Sequence, residues 1–347
     1  MEKFLIRRSE QMRAVLERLS SSVNTLAVVD DSGLCLGTIT DGDVRMALLN
    51  GQELDTKVDV IMNPTPMTAS TADSAKELSA KLERIGRYGL PVVDDTGRLI
   101  DILFHDATGG ATPRICTNVC SLILAGGLGA RLRPYTETVP KPLLKIGSKS
   151  ILEKIVELHR LSGITKIFLS VNYLGHQVEE MFGDGENFGV SIEYVREQER
   201  LGTAGPLALI KDQVSNFDQV MVMNGDLVTN VDLGSMLADH RIQQSNLTVG
   251  IVQKEFENPF GVVTVSSAGE IIEIHEKPIY KEFVSAGIYC LEKSTLNHVP
   301  EESMDMPDLI RILIDNRKKV TAFSIFETWD DVGFPSDLER LRLRKPD

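Results

Sequence analysis

One six-residue segment occurs twice near the start of the chain. Val28-Val29-Asp30-Asp31-Ser32-Gly33 returns as Val92-Val93-Asp94-Asp95-Thr96-Gly97, ungapped and offset by 64 residues. Each copy reads as strand, Asp-Asp-x-Gly turn, strand. Apolar periodicity predicts a helix ahead of each copy, over Met12–Leu19 and Ala75–Ile85, and Val44–Leu49 predicts a helix closing the first. The first third is therefore two units of the same helix–strand–turn–strand order.

The pattern changes after Gly109-Gly110-Ala111-Thr112-Pro113, a small-residue and proline stretch of the kind that separates domains. Strands are predicted over Val119–Ala125, Lys166–Val171, Ser191–Val195 and Gln219–Met223. Helices are predicted around Ile151–Leu158, His176–Phe182 and Ala204–Lys211. Such alternation predicts an α/β domain with a mostly parallel sheet, whose ligands sit beyond the carboxyl ends of the strands. The expected division is residues 1–115 and 116–347. A length of 347 residues agrees with two domains at about 150 residues each.

Composition excludes several classes. The formal charge of -13 does not suit a general nucleic-acid binder. No apolar run is long enough for a bilayer, so no membrane span is expected. Met1–Leu19 has neither the apolar stretch nor the cleavage site of a secretory leader. Cys35, Cys116, Cys120 and Cys290 form neither a disulfide framework nor a zinc pattern, and imply reduced thiols in the cytoplasm. The histidines show no ligand spacing; His159 and His176 are read as helix or surface positions, and Glu179-Glu180 as a solvated face. The basic end Arg340–Lys345 suits a helix C-terminus.

The strand Leu122-Ile123-Leu124-Ala125 runs into Gly126-Gly127-Leu128-Gly129-Ala130-Arg131. Glycines directly after a strand let backbone N–H groups approach a phosphate. The spacing is not the dinucleotide fingerprint, and Gly147-Ser148-Lys149-Ser150 lacks the Gly-Lys pair of a P-loop and reads as a turn before a helix. Pro140 and Pro142 restrict the backbone on both sides of Lys141. Arg131 and Lys141 would bring two cations to the phosphates.

The run from Leu124 to Thr136, followed by Pro140-Lys141-Pro142-Leu143, resembles the signature of sugar-1-phosphate nucleotidyltransferases. The resemblance continues in order through Leu201-Gly202-Thr203-Ala204-Gly205, Asn224-Gly225-Asp226, Phe260-Gly261-Val262, Glu276-Lys277-Pro278, Ser285–Tyr289 and Trp329-Asp330-Asp331-Val332-Gly333. It implies a Rossmann-like fold that joins a nucleoside monophosphate to a sugar 1-phosphate and releases pyrophosphate. Arg131 and Lys141 would be catalytic. Leu124, Ala125, Gly126, Gly127, Gly129, Gly202 and Thr203 would bind the nucleotide. Gly261, Glu276 and Lys277 would bind the sugar phosphate, and Asp226 and Asp331 would hold Mg2+, with Asp330 a neighbour of ambiguous role. Ser285 stands where many members carry Asn. A sensor class is disfavoured because Arg131, Lys141, Asp226, Lys277 and Asp331 are all present. An appended acyltransferase is disfavoured because no hexapeptide repeats follow Asp331.

The N-terminal repeat resembles a tandem CBS pair. Gly37-Thr38-Ile39-Thr40-Asp41-Gly42-Asp43 is its most specific segment, and the resemblance implies that Thr40 and Asp43 contact the ribose of an adenine nucleotide. The second copy has Phe104 and Ala107 at those places. Nucleotide sensing and homo-oligomer formation through CBS pairing both remain open. A CBS pair ahead of this transferase resembles bacterial guanylyltransferases for amino-sugar 1-phosphates, including those of the legionaminic acid route. That implies GTP and glucosamine 1-phosphate. Mannose or heptose 1-phosphate with GTP is the near alternative, and glucose 1-phosphate with UTP or dTTP a further one.

Overall fold

The computed structural model describes residues 4–19, 24–85, 88–104 and 118–344. The Gly109–Pro113 stretch, Cys116 and Ala107 lie outside the described residues. The two repeat copies fold alike. Strands Leu5–Arg7, Thr25–Val29 and Cys35–Thr40 form one three-stranded sheet, and Ala69–Ser70, Leu90–Val93 and Leu99–Leu103 form the other. In each sheet the first pair is parallel and the second antiparallel, with a register shift at Val28/Val29 and again at Val92/Val93.

The shared turn has a local cause. Asp30 Oδ1 accepts from the backbone N–H of Ser32 (2.8 Å) and Leu34 (2.9 Å), and Asp94 Oδ1 accepts from Thr96 (2.8 Å) and Arg98 (3.0 Å). Gly33 and Gly97 take φ of +84° and +81°, which a Cβ would oppose. The copies join where Cys35 N–H donates to the Gly97 carbonyl and Leu99 N–H to the Gly33 carbonyl, both at 3.0 Å. The strands Leu5–Arg7 and Ala69–Ser70 were not legible in the sequence, because two or three residues carry no readable alternation.

The larger domain is built on a seven-stranded sheet. Its order is Ser191–Arg196, Lys166–Val171, Val119–Leu124, Gln219–Asn224, Ile279–Glu292, Leu247–Glu257, Val320–Ser324. Every pairing is parallel except the two made by Ile279–Glu292. The sheet is covered on both faces. Val119 and Ile123 point to one core with Ile155 and Met221, while Cys120 and Leu122 point to the other with Leu207 and Leu309. The expected helix over Ala204–Lys211 is only Pro206–Leu209, because the loop before it is tied to Met304 rather than wound into the helix.

His159 lies inside the protein, on helix Ile151–Leu161 against the sheet. Its Nδ1–H donates to the Ile155 carbonyl (2.8 Å), which leaves Nε2 to accept from Ser121 Oγ (2.9 Å). Burial holds its pKa down to about 4. Cys120 and Cys290 are buried, and burial pushes the Cys120 thiol up to about 12. Among the described residues no helix is long and apolar enough to cross a membrane.

The two domains touch. Arg45, on helix Asp41–Leu49, donates to the Glu327 carboxylate at 2.9 and 2.7 Å and to the Ser324 carbonyl at 3.0 Å. Its guanidinium also lies 5.2 Å from the Phe326 ring centre.

Candidate active site

A cleft of about 450 Å³ opens at the carboxyl ends of the parallel strands. Its floor is the glycine loop. Gly129 has φ of +60°, and a Cβ there would fall 2.9 Å from Thr136 and 3.2 Å from Lys141. The loop is braced by Thr136 Oγ1, which donates to the Gly129 carbonyl at 2.8 Å. Leu124, Gly126, Gly127, Gly129, Gly202 and Thr203 line the cleft, as do Arg131 and Lys141. Ala125 does not line it; it is buried beneath the loop.

Lys141 and two aspartates form the charged centre. Lys141 Nζ is 2.5 Å from Asp226 Oδ2 and 3.8 Å from Asp331 Oδ1, and the lysine side chain is only 11% exposed. Asp226 follows strand Gln219–Asn224, and Asp331 ends strand Trp329–Asp331, which pairs with Leu227–Thr229. Burial, then the neighbouring Asp226 carboxylate, holds the Asp331 carboxyl above the usual range against the opposing pull of Lys141 and Arg131. Asp330 has a different task. It is buried and takes Arg340 at 2.7 Å and Arg344 at 2.8 Å, so the basic C-terminal helix is an anchor for this strand.

The donor set fits a divalent cation. Asp226 Oδ1 is buried without a hydrogen-bond partner, an expensive state for a carboxylate oxygen unless a cation meets it. Among the described residues no group of three or more potential ligands gathers, so two carboxylates would leave the other positions to phosphate oxygens and water, as magnesium prefers.

Gly202 and Thr203 are held from behind. Gly202 has φ of +76°, and a Cβ would sit 2.5 Å from the Met304 carbonyl oxygen. Thr203 N–H donates to Asp305 Oδ1 at 2.9 Å, and Met306 N–H donates to Thr203 Oγ1 at 2.8 Å. Glu197, Arg200, Asn224 and Asp305 also line the cleft and were missed in the sequence. Asn224 belonged to a quoted motif and was readable there. Glu197, Arg200 and Asp305 carry no motif spacing.

Gly261, Glu276 and Lys277 are not among the residues that line this cleft. They sit on an arm, because strands Leu247–Glu257 and Ile279–Glu292 continue as a two-stranded ribbon past Ser285. The hairpin Val262–Val265/Ile271–His275 lies at its end, and all three residues are exposed.

A second cavity of about 590 Å³ lies at the CBS repeat. Thr40, Asp43, Arg84 and Tyr88 line it, and Asp239 of the larger domain closes one side. Thr40 and Asp43 cap helix Asp41–Leu49 together: Thr40 N–H donates to Asp43 Oδ2 at 2.7 Å, and Asp43 N–H donates to Thr40 Oγ1 at 3.4 Å. Burial raises the Asp43 carboxyl above its ordinary range. In the second copy Phe104 packs on Phe4, ring centres 5.0 Å apart.

A strand-end glycine loop, a lysine between two aspartates and a doubly covered sheet define an α/β nucleotidyltransferase fold behind a CBS pair. Residues 120–344 match the nucleotidyl transferase family, and residues 4–50 and 58–104 match the CBS domain. The chain belongs to the nucleotidyl transferase family. It is 31% identical over 227 residues to the mannose-1-phosphate guanylyltransferase of Mycobacterium tuberculosis, covering 64% of this chain and 63% of that one. It is 34% identical over 243 residues to the mannose-1-phosphate guanyltransferase of Schizosaccharomyces pombe, covering 65% and 66%. The UTP–glucose-1-phosphate uridylyltransferase of Synechocystis is 32% identical over 231 residues, covering 61% and 60%. The chain thus spans less than two thirds of the length of these relatives. A Bacillus anthracis structure assigned as a glucose-1-phosphate thymidylyltransferase superposes with a TM-score of 0.53 at 27% identity, covering 65% of this chain and 94% of that one.

Proposed function

We propose that this chain joins a nucleoside monophosphate from a nucleoside triphosphate to a sugar 1-phosphate, giving a nucleotide sugar and pyrophosphate. The Lys141–Asp226–Asp331 cluster at the mouth of the glycine loop carries the reading. An oxygen of the sugar phosphate attacks the α-phosphorus, a new P–O bond forms, and the bond to pyrophosphate breaks. The attacking oxygen is already ionised, so no general base is required, in keeping with a site of cations and acids. The work is positioning and charge neutralisation. Backbone N–H groups of residues 126–129 cradle the triphosphate, and Arg131 and Lys141 offset the charge that gathers on the leaving group. Asp226 and Asp331 would hold magnesium, which when bound supplies positive charge to phosphate oxygens.

GTP is the favoured nucleotide; two of the relatives above are named as guanylyltransferases. The resemblance of a CBS pair ahead of this transferase to amino-sugar guanylyltransferases supports glucosamine 1-phosphate as the sugar, with mannose 1-phosphate the alternative that the names of those relatives favour. Pyrophosphate release, read over a grid of nucleoside triphosphates and sugar 1-phosphates, tests this. Release with GTP and glucosamine 1-phosphate supports the full reading, and a UTP or dTTP signal replaces the base assignment.

The cavity beside Thr40 and Asp43 is proposed to take an adenine nucleotide. Calorimetric titration of the full chain with AMP and ATP should show binding that Thr40→Ala removes. An absence of heat in the wild type contradicts it.

A further inference from the structure

Arg131 is exposed at the cleft, and among the described residues its side chain donates no hydrogen bond and joins no ion pair. What lies against it is a ring: the guanidinium carbon stands 5.2 Å from the centre of Phe334. Lys141, by contrast, is held by Asp226 and Asp331. A ring face attracts a guanidinium without cancelling its charge or occupying its N–H donors. That suits a cation whose task is to meet phosphate oxygens.

Phe334 is 51% exposed, so core packing does not account for the placement of its ring. Its backbone is nevertheless fixed. At the start of helix Pro335–Leu343 its N–H donates to Asp337 Oδ2 at 2.9 Å, and its carbonyl accepts from the Asp337 N–H at 3.0 Å. Two residues earlier, Val332 N–H donates to the Asp226 carbonyl at 3.1 Å. Val332 and Leu338 share one core with Leu132, the neighbour of Arg131. The segment that presents Asp331 to Lys141 therefore also presents a ring to Arg131, and both ends of that contact are anchored in the same core. An arginine on a free tether must surrender rotamer freedom as charge develops on the phosphates; one already laid on a ring has surrendered it.

We propose that Phe334 is the positioning residue of Arg131: its ring holds the guanidinium at the cleft, with its charge uncancelled, where the leaving pyrophosphate gathers charge. Phe334 itself touches no reacting atom and acts through the arginine. The inference rests on the reaction proposed above and adds to it the device that keeps one of its two cations in place.

A double-mutant cycle in the full chain tests it, read as pyrophosphate release with the nucleotide and sugar 1-phosphate that the wild type accepts. Phe334→Leu or Phe334→Met, whichever stays folded, removes the ring face and keeps an apolar side chain. It should lower kcat by about 3–10-fold and leave KM for the sugar phosphate unchanged. Phe334→Tyr should restore kcat. In an Arg131→Ala background the same Phe334 change should cost less than about twofold, because the residue it serves is gone. Losses that add in full across the two sites overturn the proposal. So does a kcat that the Phe334 change leaves alone, or raises, since a ring that parks the arginine out of use would slow the wild type. Titration with inorganic pyrophosphate and magnesium repeats the cycle without turnover: the Phe334 change should weaken binding to the wild-type chain about 3–10-fold and to Arg131→Ala no further. A wild type that binds pyrophosphate but turns over nothing refutes the reaction, and the binding cycle then decides the role of Phe334 by itself. A wild type that does neither overturns both.

Discussion

Lys141 holds two carboxylates that would otherwise repel, Asp226 at 2.5 Å and Asp331 at 3.8 Å. Asp226→Ala or Lys141→Ala should each lower turnover by about 10²–10³-fold, the usual cost of one preorganised charge partner. A folded variant with unchanged turnover removes that residue from the site. Lys141→Ala should also leave the acids unneutralised, so added magnesium should raise its melting temperature more than that of the wild type; an equal rise contradicts the shared-charge reading. His159 gives a pH prediction. Its folded pKa of about 4 lies below the ordinary 6.5, so the unfolded chain binds the extra proton. Stability from this group is complete above pH 6.5 and is lost as pH falls towards 4, by about 3 kcal/mol. Urea unfolding should show a shallower acid loss in that window for His159→Gln, and parallel curves would contradict it.

At the level of elements, alternation and turn chemistry were readable wherever one strand or helix decided its own pattern. Val119–Leu124 and Lys166–Val171 lay where apolar runs put them, and Ser150 caps helix Ile151–Leu161, taking the Glu153 N–H at 3.2 Å while its own N–H donates to Glu153. Ser150→Ala should cost about 1 kcal/mol in urea unfolding, and no measurable loss would contradict the cap. What the sequence withheld depends on tertiary neighbours. Asp330 and Asp331 are adjacent on one strand, and successive side chains point to opposite sides; only the fold shows that Arg340 and Arg344 claim the first and Lys141 faces the second. The arm was legible as motifs but not as an arm, because Phe-Gly-Val and Glu-Lys-Pro say nothing about how far the strands beside them run beyond the sheet. Asp305 was invisible because its value lies in a contact with Thr203, 102 residues away.

At the scale of the molecule, the CBS pair is fastened to the transferase domain through Arg45 and Glu327, both largely buried, and Glu327 lies two residues before the strand that ends at Asp331. Asp239 closes the CBS cavity from the transferase side. Arg45→Ala should lower stability by about 1–3 kcal/mol, since it strips a charged hydrogen-bonded pair, and should speed amide exchange in helix Leu233–Gln243. Unchanged exchange there would show that the domains are held otherwise. The central claim is that the cleft at the strand ends transfers a nucleotide to a sugar phosphate. Phosphorus NMR of full-length chain with magnesium, GTP and a sugar 1-phosphate reads it directly. The account predicts that a nucleotide-sugar diphosphate signal and free pyrophosphate grow together in wild type and stay absent in Asp226→Ala. Neither signal from folded wild-type chain, across every nucleotide and sugar phosphate supplied, would contradict it.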